Sequence, residues 1–157
     1  MTEFRRVPSD LFTSGENATN HVVAGTDSPA GTVRVKVLPL DEVLGTDSPS
    51  VIKIDVEGFE APVLSGASRT LANPALHSVI MELNGSGSRY GFADEQLVRT
   101  MADHGFSTYS YEPFSRQLTS LGGKNSAAGN TLFIRGDAAV RLRLQQAPKL
   151  LLGHRWV

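Results

Sequence analysis

The sequence predicts an α/β fold, and three stretches carry the prediction. Val51-Ile52-Lys53-Ile54 is a short, largely apolar run that passes into Asp55-Val56-Glu57-Gly58-Phe59-Glu60, three carboxylates around a glycine. A strand covered on both faces reads as such a run rather than as an alternation. Val63, Leu64, Ala67 and Leu71 then recur at helical spacing, and Val79-Ile80-Met81 forms a second apolar run before Glu82. Strand, helix and strand in about 33 residues is the length of a right-handed βαβ unit with parallel strands.

The elements follow in order. Residues 1 to 31 have little periodicity and many Ser, Thr, Gly and Asn, which predicts a poorly ordered arm with a short strand at His21 to Ala24. Thr32 to Leu38 alternates Val33, Val35 and Val37 with Arg34 and Lys36, a half-exposed strand suited to a sheet edge. Asp41 is placed to cap a short helix through Leu44 that Gly45 stops. The central strand then runs to Asp55 at its last position, with Glu57 in the turn and Gly58 relieving the backbone. A helix is expected over 59 to 72, with Pro62 in its first turn, where a missing N–H costs little, and Asn73-Pro74 ending it. His77 to Leu83 is the next buried strand.

Asn84 to Gly91 reads as a loop, and residues 93 to 104 as a helix with Leu97, Val98 and Met101 on one face and Gly105 closing it. Phe106 to Tyr111 is a strand, 113 to 129 a long polar connection, and Asn130 to Arg135 a returning strand. Two strands joined without a helix favour an antiparallel pair. The tail, 137 to 157, mixes Val140, Leu142, Leu144 and Leu150-Leu151-Leu152 with four basic residues. A docking helix, a partner-binding tail and a frameshifted end all remain open for it.

Composition narrows the functional classes. A chain of 157 residues, 40% hydrophobic and 20% charged, suits one soluble domain with a real core. A net charge of −1 offers no electrostatic case for nucleic acid or an anionic membrane. The absence of cysteine excludes disulfides, thiolate metal sites and cysteine nucleophiles. No apolar run approaches the ~20 residues that span a bilayer. Met1 to Arg6 lack the apolar core of a secretory signal, so a cytoplasmic protein is expected. His21, His77, His104 and His154 include no pair at metal-ligand spacing.

Ligands of open α/β sheets gather beyond the carboxyl ends of the strands, which makes Asp55, Glu57 and Glu82 the candidate acid–base residues. The competing role is helix capping, since a carboxylate accepts hydrogen bonds from the free N–H groups of a first turn. Capping suits Glu60 best. Lys53, between Ile52 and Ile54, needs a partner if its strand is buried, and one of the acids is a candidate. Asp55, Glu57, Glu82 and Asn84 are oxygen donors of the kind a magnesium ion takes, but no metal ligand is assigned from the sequence. Tyr90, Phe92, Tyr109 and Tyr111 are read as core before acceptor pocket. Gly85-Ser86-Gly87-Ser88-Arg89-Tyr90-Gly91 follows a strand, but Tyr90 stands where a third glycine would complete a dinucleotide fingerprint. It is read first as a flexible loop.

Lys53-Ile54-Asp55-Val56-Glu57-Gly58-Phe59-Glu60, Val63-Leu64-Ser65-Gly66-Ala67 and Ile80-Met81-Glu82-Leu83 resemble the signature of the FkbM family of S-adenosylmethionine-dependent methyltransferases. Pro39 to Leu44 resembles the family's short Leu-Asp helix entry. The resemblance covers about residues 33 to 135, the second half of the family's domain, and assigns 32 to 136 to that domain. It implies a partial Rossmann-like class I methyltransferase sheet, mostly parallel with a C-terminal antiparallel strand pair. It also implies O-methylation of a small molecule or sugar, with S-adenosylmethionine as cofactor. A carboxylate would serve as base, Asp55 first, then Glu57, then Glu82. Asn84, Arg89 and Tyr90 are candidates for contact with the acceptor, since the 85 to 91 loop lies on the acceptor side in the family, and Arg89 beside Tyr90 suits an acidic or sugar substrate.

The glycine-rich turn and ribose-binding acid of a cofactor half are absent before Val51. Three explanations stay open: a truncated or mis-started product, a paralogue that has lost cofactor binding, or a separate chain supplying the missing half. The rival to catalysis is a non-catalytic remnant or partner-binding fragment with an open sheet edge.

Overall fold

The computed structural model describes residues 37–156, preceded by the backbone of three short strands: β1 (Glu3–Arg5), β2 (His21–Val23) and β3 (Thr32–Val33). These pair antiparallel in the order β2-β1-β3. The strand expected at His21 is thus β2, and that expected from Thr32 is seen as β3. The arm over 1 to 31 otherwise lies outside the described residues.

Helix α1 (Leu40–Leu44) ends at Gly45, whose φ of 55° lies in the left-handed region. Strand β4 (Val51–Ile54) leads to α2 (Glu60–Ser65) and α3 (Ser68–Ala72), and the chain returns as β5 (Ser78–Glu82). The single helix expected over 59 to 72 is therefore two. Gly66 marks the break: a Cβ there would stand 3.1 Å from Pro39 Cα, and its carbonyl accepts the Asp41 N–H at 2.9 Å. The close approach of α1 ends the first helix. Asp41 does not cap its own helix, which starts after Pro39. Its carboxylate instead accepts from Arg69 N–H at 2.8 Å, Thr70 N–H at 2.9 Å and Thr70 Oγ1 at 2.6 Å. It caps α3 from a distance of 28 residues.

After a 3₁₀ turn (Ser86–Tyr90) come α4 (Asp94–Asp103) and β6 (Ser107–Glu112), close to expectation. The polar connection contains an unforeseen strand, β7 (Gln117–Ser120), before β8 (Asn130–Ile134). The chain ends in α5 (Asp137–Gln146) and a small hairpin, β9 (Leu151–Leu152) and β10 (Arg155–Trp156).

The five-stranded sheet has the order β4-β5-β8-β6-β7. Its β4–β5 pair is parallel, as the βαβ reading requires, but β5–β8, β8–β6 and β6–β7 are antiparallel. The expectation of a mostly parallel sheet is corrected by this. β4, β5 and β6 do point the same way, but β8 returns between β5 and β6 and separates them. β7 folds back on β6 as a hairpin, adding the third antiparallel pair.

Val79 and Met81 of β5 and Thr131 and Phe133 of β8 are fully buried. Val79, Met81 and Phe133 join Ile54, Leu64, Leu71, Leu97 and Met101 in one core beneath α2, α3 and α4. Ile134 and Leu132 alternate with Phe133, so they face the other side, where Val140 and Leu144 of α5 cover Tyr109 and Leu118. Of the three readings of the tail, its first part is therefore a docking helix.

β4 is the outer strand of this sheet, not a strand buried on both faces. Val51 is 55% exposed, Lys53 and Asp55 are exposed, and only Ile54 is buried. Among the described residues, β5 is its one neighbour in the sheet. No described helix is long and apolar enough to cross a membrane.

Candidate functional site

Parallel pairing of Ile54 with Met81 puts the residues that follow, Asp55 and Glu82, side by side at the carboxyl edge of β4 and β5. Glu57 joins them from the turn. One carboxylate oxygen from each of Asp55, Glu57 and Glu82 lies within 4.8 Å of the others. The three expected acid–base residues are therefore brought together. Oxygens within that distance of one another are spaced as the ligands of one hard cation are.

Four local features shape the cluster. Asp55 is ion-paired to Lys53 Nζ, the partner anticipated for that lysine, although both lie at the surface. Glu57 adopts φ 52°, a left-handed conformation that is costly for a residue with a Cβ. Gly58 follows at φ 99°, and a Cβ on it would come within 2.6 Å of Ser86 O. Only glycine admits that approach. Glu60 is buried, and its Oε1 accepts the Gly58 N–H at 3.2 Å, so it braces the turn.

Burial raises the proton affinity of Glu82, and the negative charges of Asp55, Glu57 and Glu60 raise it further against an opposing effect of Lys53. Its pKa therefore lies above the ordinary glutamate range. Gly129, ahead of β8, makes room for this side chain: a Cβ there would stand 2.9 Å from Glu82 Oε1. A glycine just before a strand is the one sequence signal that could have pointed to this contact.

The 85 to 91 stretch, read as a loop, contains the 3₁₀ turn Ser86–Tyr90. Gly85 and Gly91 flank it at φ 80°, and Asn84 Oδ1 accepts the Ser86 N–H at 2.9 Å. Tyr90 sets its ring edge-on to Phe59, centroids 5.5 Å apart. Arg89 is exposed on the same turn, so Arg89 and Tyr90 sit beside the Gly58 turn that carries Glu57. Tyr109 and Tyr111 pack under α5 instead, in agreement with a core role.

Asn84 reaches a cleft of about 420 Å³ with Lys124, Asn125, Ser126 and Gly129 on its walls. Sequence reasoning missed this wall because the 113 to 129 stretch has no periodicity. A larger cleft of about 640 Å³ is lined mainly by apolar residues of α1 and α2 and contains none of the three carboxylates.

A family model described as the methyltransferase FkbM domain matches residues 6–108. The span differs from the expected 33 to 135: it begins inside the stretch read as an arm and ends at Thr108 in β6. It includes Asp55, Glu57, Glu82, Asn84, Arg89 and Tyr90. No curated protein and no solved structure matches the chain.

Proposed function

The chain belongs to the FkbM methyltransferase family, and from that premise we propose that it transfers a methyl group from S-adenosylmethionine to a hydroxyl oxygen of a small molecule or sugar. The convergence of Asp55, Glu57 and Glu82 at the edge of β4 and β5 supports the reading. S-adenosylmethionine would supply the methyl group. Among the described residues no glycine-rich turn or ribose-binding acid precedes β4. The carboxylates at the edge of β4 and β5 suit the acceptor side of the reaction.

An attacking hydroxyl must lose its proton, and a carboxylate within hydrogen-bond reach can take it. Glu82 suits the base, because a proton acceptor works best with a pKa near the operating pH and its own is raised. Asp55 and Glu57 supply the negative charge that raises it, and Lys53 holds Asp55 in place. Labelled methyl transfer from S-adenosylmethionine to an acceptor panel tests this. Glu82→Gln and Asp55→Asn should each lower turnover, the first by about 10²-fold or more, at unchanged helical content. Wild-type turnover in Glu82→Gln would remove it from the mechanism.

A second reading rests on the outer position of β4. A strand edge with exposed Val51 is a template for another chain, and partner binding without catalysis would use it. Light scattering decides: a concentration-independent monomer that melts cooperatively contradicts this reading.

A further inference from the structure

The hairpin of β9 and β10 carries an apolar surface that the rest of the domain does not use. Leu150, Leu151 and Leu152 follow one another, Trp156 comes shortly after, and each of the four is more than half exposed. Three consecutive exposed leucines beside a tryptophan differ from the apolar residues scattered singly over an ordinary surface, and a patch of this kind marks a docking site.

The hairpin fixes how they are presented. Its strands join through Gly153-His154, with Gly153 at φ 61°. Leu151 stands opposite Trp156, and Leu152 opposite Arg155. Partners across a strand pair share a face. Arg155 lies over Phe114, its guanidinium 3.8 Å from the ring centroid, which leaves Leu151 and Trp156 on the opposite face.

The charges around the patch have one sign. Residues 138–157 contain Arg141, Arg143, Lys149 and Arg155 and no carboxylate side chain. Arg141 is matched by Asp137 at 3.2 Å. Arg143 and Lys149 are exposed and have no ion-pair partner among the described residues, and Arg155 meets a ring rather than an acid. The net charge of −1 for the whole chain conceals this local excess. A second copy of the same hairpin would bring like charges together, which opposes association. An anionic bilayer suits both parts of the patch. Its phosphates attract the cations, and the boundary between headgroups and acyl chains accommodates leucine and the amphipathic indole.

We propose that the hairpin and the end of α5 form a docking surface for an anionic lipid bilayer. Leu150, Leu151, Leu152 and Trp156 enter the interface, while Arg143, Lys149 and Arg155 lie over the headgroups. The attachment is peripheral, since no described helix could cross the membrane. It does not depend on the methyl-transfer reading, and it gives the last part of the tail the partner-binding role that its sequence left open.

Trp156 is the sole tryptophan of the chain, so its fluorescence reports on the patch directly. The full chain is titrated with phosphatidylcholine vesicles, with and without phosphatidylserine. Phosphatidylserine vesicles should shift the emission to shorter wavelength and make it quenchable by brominated acyl chains. Pure phosphatidylcholine should bind at least about tenfold more weakly. Leu151→Ser, and separately Arg143→Gln with Lys149→Gln, should each weaken binding by about tenfold or more at unchanged circular dichroism. No binding, equal binding to the two vesicles, or binding that leaves the Trp156 emission unchanged would overturn the proposal. So would a shift that follows protein concentration without lipid, which would assign the patch to a second copy of the chain.

Discussion

Glu57 concentrates the conflict between stability and chemistry at one residue. Its left-handed backbone and its nearness to two other carboxylates both oppose folding. Glu57→Gly should therefore stabilise the chain by up to about 1 kcal/mol in chemical denaturation, while methyl transfer falls. Arg135 has the opposite character. Its guanidinium donates to the carbonyls of Leu71, Asn73, Leu76 and His104 and lies 4.5 Å above the Phe106 ring. It ties the ends of α3 and α4 to the start of β5. Arg135→Met should cost about 3 kcal/mol or more, since it strands several carbonyls, whereas exposed Arg143→Met should stay within about 0.5 kcal/mol. Asp55, Glu57 and Glu82 were legible as a group because parallel strands bring their ends to one edge. Arg135 was not: its partners are backbone carbonyls, which no side-chain pattern records.

At the scale of elements, Asp41 links α1 to α3. The Thr70 hydroxyl first, then the amides of Arg69 and Thr70 and the Arg69 charge, hold its pKa below the ordinary aspartate value against a burial effect. Its stabilisation is complete above the unfolded pKa and is lost as pH falls through the lowered folded value. Glu82 works in the other sense. Its folded pKa is raised, so the stability it contributes is present below the unfolded value and is lost as pH rises through the folded one. Melting curves across pH should separate them. Asp41→Ala should lower the melting temperature at neutral pH and lose the difference in acid. Glu82→Gln should raise it at neutral pH and likewise converge in acid. The split of α2 from α3 escaped sequence reading because Val63, Leu64, Ala67 and Leu71 keep helical spacing through the break. Only the approach of Pro39 to Gly66 reveals it.

Among the described residues, the sheet is covered on one face by α5 and has no strand paired to β4 beyond β5. Arg116 donates to Leu144, Ala147 and Pro148 carbonyls, and Val140 and Leu144 seal the second core. The hairpin beyond is held less: Leu151 and Leu152 are exposed, and Arg155 lies over Phe114. Truncation after Lys149 should leave the cooperative melt nearly unchanged, whereas truncation after Gly136 should abolish it. The α/β class and the βαβ unit could be read from apolar runs and helical spacing. The place of β4 could not, because a run such as Val51 to Ile54 looks the same at the centre of a sheet and at its rim. The insertion of β8 between β5 and β6 depends on a long aperiodic connection and was equally hidden.

Asp55, Glu57 and Glu82 meet at the edge of β4 and β5, where burial first and then the neighbouring negative charges raise the proton affinity of Glu82. A carboxyl-¹³C NMR titration of Glu82, in the wild type and in Asp55→Asn, measures that coupling without needing a substrate. The expected result is a Glu82 pKa above the ordinary glutamate range that moves down in Asp55→Asn, with the part due to burial remaining. A Glu82 that titrates at or below the ordinary value, or that does not respond to Asp55→Asn, would contradict it.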